Sequence, residues 1–348
     1  MLGLGHFFAH PALMIFSHIT LSTQRATLCP FGTQCEPKRE SIRCALFTKS
    51  PLTMSSVISR TTLKTAREGL NYDLVPMRLW RKAKKLGTWD PASIDFTQDR
   101  ADWASLSDRE QDLLLRLTAQ FQGGEESVTL DLLPLLEHVA AEERIEEEMF
   151  LTSYLWEEAK HVEAFDRFLR EVAAVEGSLE HYFTEPYRAI FFEALPTSMQ
   201  ALRTDDAPTT LARAAVTYQM IVEGVLAETG YHAYATVLEE NSLCPGMQTL
   251  VRSVQRDESR HVGYGVFLLS RLVAAHGDAV WTAIDDRMNE LLPLALQHIS
   301  QTLAPYGDDV PFGVSPDDFV QFGLSQFQKR FDRIERAREQ SLDDVLYV

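Results

Sequence analysis

Two short stretches of this chain set a carboxylate and an imidazole three residues apart. Glu158 and His161 do so in WEEAKHVEAF, and Glu258 and His261 in QRDESRHVGY. At i, i+3 on a helix, both side chains share one face. Each pair has a glutamate upstream at a similar distance. Glu125, in FQGGEESVTLD, lies 33 residues before Glu158; Glu223, in YQMIVEGVLAETG, lies 35 before Glu258. Two antiparallel helix pairs would bring these four carboxylates and two imidazoles to one bundle centre. That donor set suits two adjacent divalent metals. Carboxylates bridge and neutralise the paired charge, and neutral imidazole favours iron or manganese over calcium or magnesium. Met220, Ile221, Val222, Val225 and Leu226 surround Glu223, where a buried unpaired carboxylate would be expensive and a metal removes that cost. One E-x-x-H in an acidic helical protein is ordinarily a solvated face. Two copies with matched glutamates set this chain apart.

The elements that must position these residues are helical from Ser107 onward. Ser107 and Glu110 have the S-x-x-E spacing of a capping box before an apolar-periodic run. The periodicity predicts helices over 107–137, 142–176, 186–202, 208–240, 246–275, 278–304 and 316–338. Gly177 is expected to close the second, and Pro186, Pro208 and Pro245 lie near starts. Alternating β-branched stretches are absent, so the fold class is all-α. Helices near 30 residues span roughly 45 Å, a length typical of bundles. The 348 residues are 45% hydrophobic and 24% charged, which is globular composition. Fifty acids against thirty-three bases give a net charge of -17, which argues against nucleic acid or anionic membranes as partners. No apolar run reaches the roughly 18 to 20 residues of a membrane span. Four cysteines are too few for a disulfide scaffold, and the expected compartment is the cytoplasm.

The first 53 residues differ from the rest. They carry Arg25, Lys38, Arg39, Arg43 and Lys49 against only Glu36 and Glu40, hold Cys29, Cys35 and Cys44, and show no helical or strand period. Pro11–Leu21 is interrupted by Ser17 and His18 and lacks a preceding base, so it makes a poor secretory signal. CPFGTQC has no second pair to complete a metal site. Residues 1–53 are therefore expected to be an unstructured extension or a mis-assigned start upstream of Met54. Residues 54–348 are expected to form one dimetal-carboxylate domain.

The order E…ExxH…E…ExxH matches the ferritin-like dimetal-carboxylate bundles. Residues 55–340 resemble more narrowly the R2-like ligand-binding oxidases, relatives of the ribonucleotide reductase R2 subunit. The resemblance lies in WDPASIDFTQDRADWASLSDREQDLL, FQGGEESVTLD, EEAKHVEAF, TYQMIVEGVLAETGY and RDESRHVGYG. It implies a ferritin-like four-helix core with additional helices, a homodimer, and a manganese/iron cofactor, with di-iron as the alternative. Glu125, Glu158 and His161 would serve mainly manganese; Glu223, Glu258 and His261 mainly iron, with Glu158 bridging. It also implies dioxygen activation beside a bound long-chain fatty acid whose carboxylate joins the metals.

Members of that family carry an ether bond between a tyrosine oxygen and a valine β-carbon. The matching positions are Tyr218 and Val128. Val128 follows Glu125 by three residues and shares nearly the same face; its tertiary Cβ–H is a reasonable target for oxidation. Tyr218 precedes Glu223 by five residues, about 140° away on an ideal helix. A π-bulge would bring it round. Without the resemblance both residues read as core packing, as do Phe121, Phe165 and Met220. Similarity to R2 proteins further implies that Asp257 orients His161 and that Trp89, in TWDP, relays electrons to that pair.

The main rival is a true R2 subunit. Its radical tyrosine would stand four residues after His161, where this chain has Phe165; one R2 subclass pairs Mn/Fe with phenylalanine there. The acidic-apolar ending SLDDVLYV leaves docking to a reductase open. FQGGEESVTLD and Tyr218 favour the oxidase. Bacterioferritin-type stores share the ligand order at about half this length, whereas here 62 residues separate His161 from Glu223. A soluble acyl desaturase shares the ligands but acts on carrier-bound chains.

Overall fold

Why this chain makes helices is clearest at Ser107. Its side chain accepts from the Glu110 amide while Glu110 reaches back to the Ser107 backbone, so the expected capping box forms. The structure is a computed structural model describing residues 62–347. The Met54 boundary, the three N-terminal cysteines and the stretch Pro11–Leu21 lie outside the described residues. Thr62 onward forms one compact unit, and no strand occurs among the described residues.

The helices run α1 Lys64–Arg67, α2 Val75–Leu86, α3 Thr97–Ser105, α4 Asp108–Asp131, α5 Leu133–Ala141, α6 Ile145–Glu171, α7 Glu185–Arg188, α8 Leu195–Ala201, α9 Pro208–Ala215, α10 Glu228–Tyr234, α11 Pro245–His276, α12 Asp278–Leu303, α13 Pro316–Arg336 and α14 Leu342–Tyr347. Two π-helical segments, Ala189–Ala194 and Val216–Ala227, splice neighbouring α-helices into longer rods, and a third, Ala235–Glu239, extends α10. The four rods of the core are α4, α6, α11 and the composite from α9 through α10. Thr118 and Tyr234 pair through their hydroxyls at 2.6 Å, and Tyr218 donates to the Val128 carbonyl at 3.0 Å, so the composite rod runs antiparallel to α4.

Three expectations need correction. The predicted helix 107–137 is two helices, broken at Leu132, because Pro134 enters the first turn of α5 and cannot continue the ladder. The predicted helix 142–176 ends at Glu171; Ala174, at φ 50°, makes the left-handed turn ahead of Gly177. Helices α2 and α3, before residue 107, were not predicted. The short α2 buries Met77, Leu79 and Ala83 and packs on α6 and α11, while buried Asp99 of α3 accepts from the amides of Gly246 and Met247, capping the start of α11. The long α11 approaches the π segment closely at Gly265, where a Cβ would overlap Gln219. That approach sets the spacing between the two halves of the site.

No helix among the described residues is long and apolar enough to cross a membrane.

Candidate metal centre

Each core rod delivers one part of the ligand pattern. Glu125 comes from α4, Glu158 and His161 from α6, Glu223 from the π segment Val216–Ala227, and Glu258 and His261 from α11. All six are buried. They form two overlapping groups, Glu125–Glu158–His161–Glu258 and Glu158–Glu223–Glu258–His261, with candidate donor atoms within 4.8 Å of one another in each. His161 Nδ1 lies 3.3 Å from both Glu125 and Glu158 and 3.4 Å from Glu258. His261 Nδ1 lies 3.1 Å from Glu158 and 3.5 Å from Glu258. Glu158 is thus shared between the groups, and so is Glu258, which spacing had set with the second group alone.

The donors fit metal cations. Both oxygens of Glu158, one oxygen each of Glu223 and Glu258, and Nδ1 of both histidines are buried without a hydrogen-bond partner. Six orphaned donors converging on one space are costly in a dry interior unless a cation takes them. The protein's own charges show the same pressure. Burial pushes Glu125 up to about 8 against the pull of His161. Burial and then the Glu258 charge raise Glu223 well above the usual carboxylate range. Burial also opposes ionisation of Glu158, but the adjacent imidazoles outweigh it and hold that carboxyl at about 2. Burial disfavours charge on His161 and His261, yet the surrounding carboxylates raise both well above the ordinary imidazole value. Four carboxylates against two imidazoles call for compensating positive charge. Carboxylate and imidazole donors suit manganese and iron.

Outside the ligands the two halves cross over. Asp257, from α11, lies 3.4 Å from His161 Nε2 on α6. Glu157, from α6, lies 2.9 Å from His261 Nε2 on α11. Arg260 joins them, donating to Glu157 and to Asp257 at 2.6 Å each. Trp89 Nε1 donates to Asp257 at 2.7 Å and its ring is near-parallel to that of His161, 6.2 Å away. Lys160 holds the same Asp257 oxygen at 2.9 Å and sits over the Trp89 ring. Asp257 keeps a low pKa because His161 and then Lys160 outweigh its burial. The sequence reading missed Glu157, although WEEAKH and RDESRH both place an acid directly before E-x-x-H. It also missed Tyr154, which stacks on His261 at 3.6 Å and donates to Glu223; its spacing carries no signal that separates it from core.

Tyr218 does reach the site. It is fully buried, meets Tyr154 edge-on, and its hydroxyl rests on the carbonyl of Val128. The π segment supplies the rotation: i→i+5 bonding stacks residues five apart, so Tyr218 and Glu223 point the same way. Phe165 and Met220 are fully buried core. Phe121 is half-buried, stacks on Phe165 and Tyr231, and lines a cavity. That cavity, about 870 Å³ of free space including its mouth, is bounded by Glu125, Val128, Glu223 and Glu258 at one end and by Leu113 and Val237 at the other.

Comparison with known proteins agrees with this geometry. Residues 76–323 match the family model described as ribonucleotide reductase, small chain. A solved R2-like ligand-binding oxidase with an aerobically reconstituted Mn/Fe cofactor is 33% identical, with a TM-score of 0.77 over 80% of this chain and 99% of that one. A tyrosine-to-phenylalanine mutant with the same cofactor is 34% identical, with a TM-score of 0.75 over 80% of this chain and 100% of that one. The R2-like ligand-binding oxidase from Sulfolobus acidocaldarius is 33% identical, with a TM-score of 0.75 over 82% and 98%. With the doubled carboxylate–histidine groups and the all-α ferritin-like fold, these matches show that the chain belongs to the R2-like ligand-binding oxidases of the ribonucleotide reductase small-chain family.

Proposed function

We propose that this protein is a dioxygen-dependent Mn/Fe oxidase that binds a long-chain carboxylic acid beside its metals and joins Tyr218 to Val128. Glu125, Glu158 and His161 would hold mainly manganese, and Glu223, Glu258 and His261 mainly iron, with Glu158 between them. The observation that carries the reading is the Tyr218 hydroxyl resting on Val128 directly beside the two ligand groups. The carbonyl that accepts this hydrogen bond is three bonds from the Val128 β-carbon, so little movement separates the resting contact from a bond between the side chains.

The link removes two hydrogens from the protein. The tyrosine O–H and the valine Cβ–H break, one C–O bond forms, and two protons and two electrons pass to dioxygen. A manganese/iron pair held by the six ligands would supply the other two electrons, and solvent the other two protons, needed to take dioxygen to two waters. The chain's own residues prepare the step. Burial raises the Tyr218 pKa well above its ordinary value, with the Glu158 charge adding to the effect, so the phenol stays protonated until it is oxidised. Tyr154 holds Glu223, and the crossed pair Glu157 and Asp257 holds the outer nitrogens of the two histidines. The apolar cavity opening on Glu125, Glu223 and Glu258 supports a long acyl chain lying away from the metals.

Aerobic loading with both metals, digestion and mass spectrometry test this. A linked pair of peptides containing Val128 and Tyr218, short of two hydrogens, should form after oxygen exposure and vanish in Tyr218→Phe. Only unlinked peptides at full metal occupancy would overturn the reading and leave a phenylalanine-type R2 subunit in its place.

A further inference from the structure

The cavity beside the metals is not uniformly apolar, and its polar groups cluster along about one helical turn of its wall. Along α4 its wall is Leu113, Leu117, Phe121, Gly124 and Val128, one face of the helix. Leu113 lies twelve residues from Glu125, so the cavity follows α4 for roughly 18 Å at 1.5 Å per residue. Gln120, Thr229, His298 and Thr302 interrupt this wall, each nine-tenths or more buried. Gln120 and Thr302 fix the level, since the Thr302 hydroxyl lies 3.3 Å from the Gln120 side-chain oxygen. Thr302 also donates at 2.9 Å to the carbonyl of His298, one turn earlier on α12.

Two of these groups have unused hydrogen-bonding capacity. His298 Nδ1 pairs with the Thr184 hydroxyl at 2.8 Å, but Nε2 has no hydrogen-bond partner among the described residues. The Thr229 hydroxyl is buried and unpartnered. Burial keeps His298 neutral, with its pKa lowered to about 4, so either ring nitrogen can carry the proton and Nε2 can donate or accept. A plain hydrocarbon chain filling this stretch would displace water from these groups and leave them unpaired, which lowers affinity for that chain relative to one that pairs them.

We propose that the cavity selects a long-chain carboxylic acid bearing an oxygen at mid-chain, received by His298. This inference rests on the proposed seating of the carboxylate at the metals. Gln120 is five residues from Glu125, roughly 7.5 Å along α4. A staggered chain of ~1.52 Å carbon–carbon bonds advances about 1.25 Å per carbon. About six such advances cover that distance, so the oxygen belongs near the seventh carbon, counting the carboxylate carbon as the first.

The test displaces bound lipid from the metal-loaded protein with three probes: hexadecanoic acid, 8-hydroxyhexadecanoic acid and 16-hydroxyhexadecanoic acid. The readout is affinity, with mass spectrometry of the extracted lipid. The mid-chain alcohol should bind about tenfold tighter than the unsubstituted acid, the worth of one well-made buried hydrogen bond. The terminal alcohol should show no such gain, and the preference should fall within about twofold in His298→Phe. Thr302→Val, which is close in shape, should weaken the preference, and the positional comparison on the unaltered protein stands even if the histidine variant fails to fold. Equal binding of the mid-chain alcohol and the plain acid overturns the inference while leaving the carboxylic-acid reading intact. Binding of none of the three overturns that reading, and this inference with it.

Discussion

Replacing Glu157 by glutamine should weaken metal binding at one half of the site and spare the other. Glu157 is fully buried and belongs to neither ligand group. Its Oε2 lies 2.9 Å from His261 Nε2, so the carboxylate fixes the ring with Nδ1 toward Glu158 and Glu258 and raises its basicity as a ligand. Losing such an outer partner typically costs 10–100-fold in metal affinity, or ~1.4–2.7 kcal/mol. The cost should fall on the group containing His261. Asp257→Asn should act on the group containing His161, because Asp257 faces that ring. Arg260 keeps its 2.6 Å contact with Asp257 in Glu157→Gln, so the fold should persist. Manganese and iron titrations of metal-free protein, read by elemental analysis and by anomalous diffraction at both metal edges, resolve the two groups separately. Equal losses at both groups from each variant, or none from Glu157→Gln, would refute the crossed arrangement as the means of orienting the histidines.

Acid should destabilise the protein partly through His298, whose pKa is lowered from 6.5 to about 4 by burial. Below pH 6.5 the unfolded chain takes up a proton that the folded chain refuses until about pH 4. The contribution is therefore full above pH 6.5 and is lost as pH falls toward 4, at ~1.36 kcal/mol per unit; urea unfolding at pH 7 and pH 5 should show about 2 kcal/mol less pH dependence in His298→Gln. Gly230→Ala should lower stability by about 1–3 kcal/mol, because the new methyl would overlap the Phe121 ring, itself wedged between Phe165 and Tyr231; an unchanged melting temperature would show that this ring can move. A chain beginning at Met54 should load metal like the full chain, and loss of metal on truncation would overturn the expectation that residues 1–53 are dispensable.

The ligand groups were legible because their chemistry is periodic. A carboxylate and an imidazole three apart on each of two helices, with one glutamate on each of two others, can meet only at a bundle centre, and they do. The capping box at Ser107 marked the start of α4 because both halves of that device are local. Helices α2 and α3 were not legible. Their stability comes from α6 and α11, which they cover, rather than from any local signal of their own. Glu157 was legible in principle. It repeats the position of Asp257 in the other motif, and two rods crossing at one centre force each flanking acid onto the opposite histidine.

Tyr218 marks where helical periodicity misleads. Ideal spacing turns it away from Glu223, yet both residues face the site. The backbone of Val216–Ala227 resolves this by widening to i→i+5 bonding, a distortion frequent at functional sites. Nothing in VTYQMIVEGVLA announces it: the segment is mostly apolar around Thr217, Gln219 and Glu223, with no proline and a single glycine. The widened turns are held from outside. Gly265 lets α11 press against Gln219 within the segment, and Arg287 from α12 donates at 2.9 Å to the Thr217 hydroxyl. Those contacts come from residues some 45 to 70 positions away. The conformation that aims Tyr218 at Val128 is therefore a property of the packed fold, and a reading confined to local spacing assigns the tyrosine to the core.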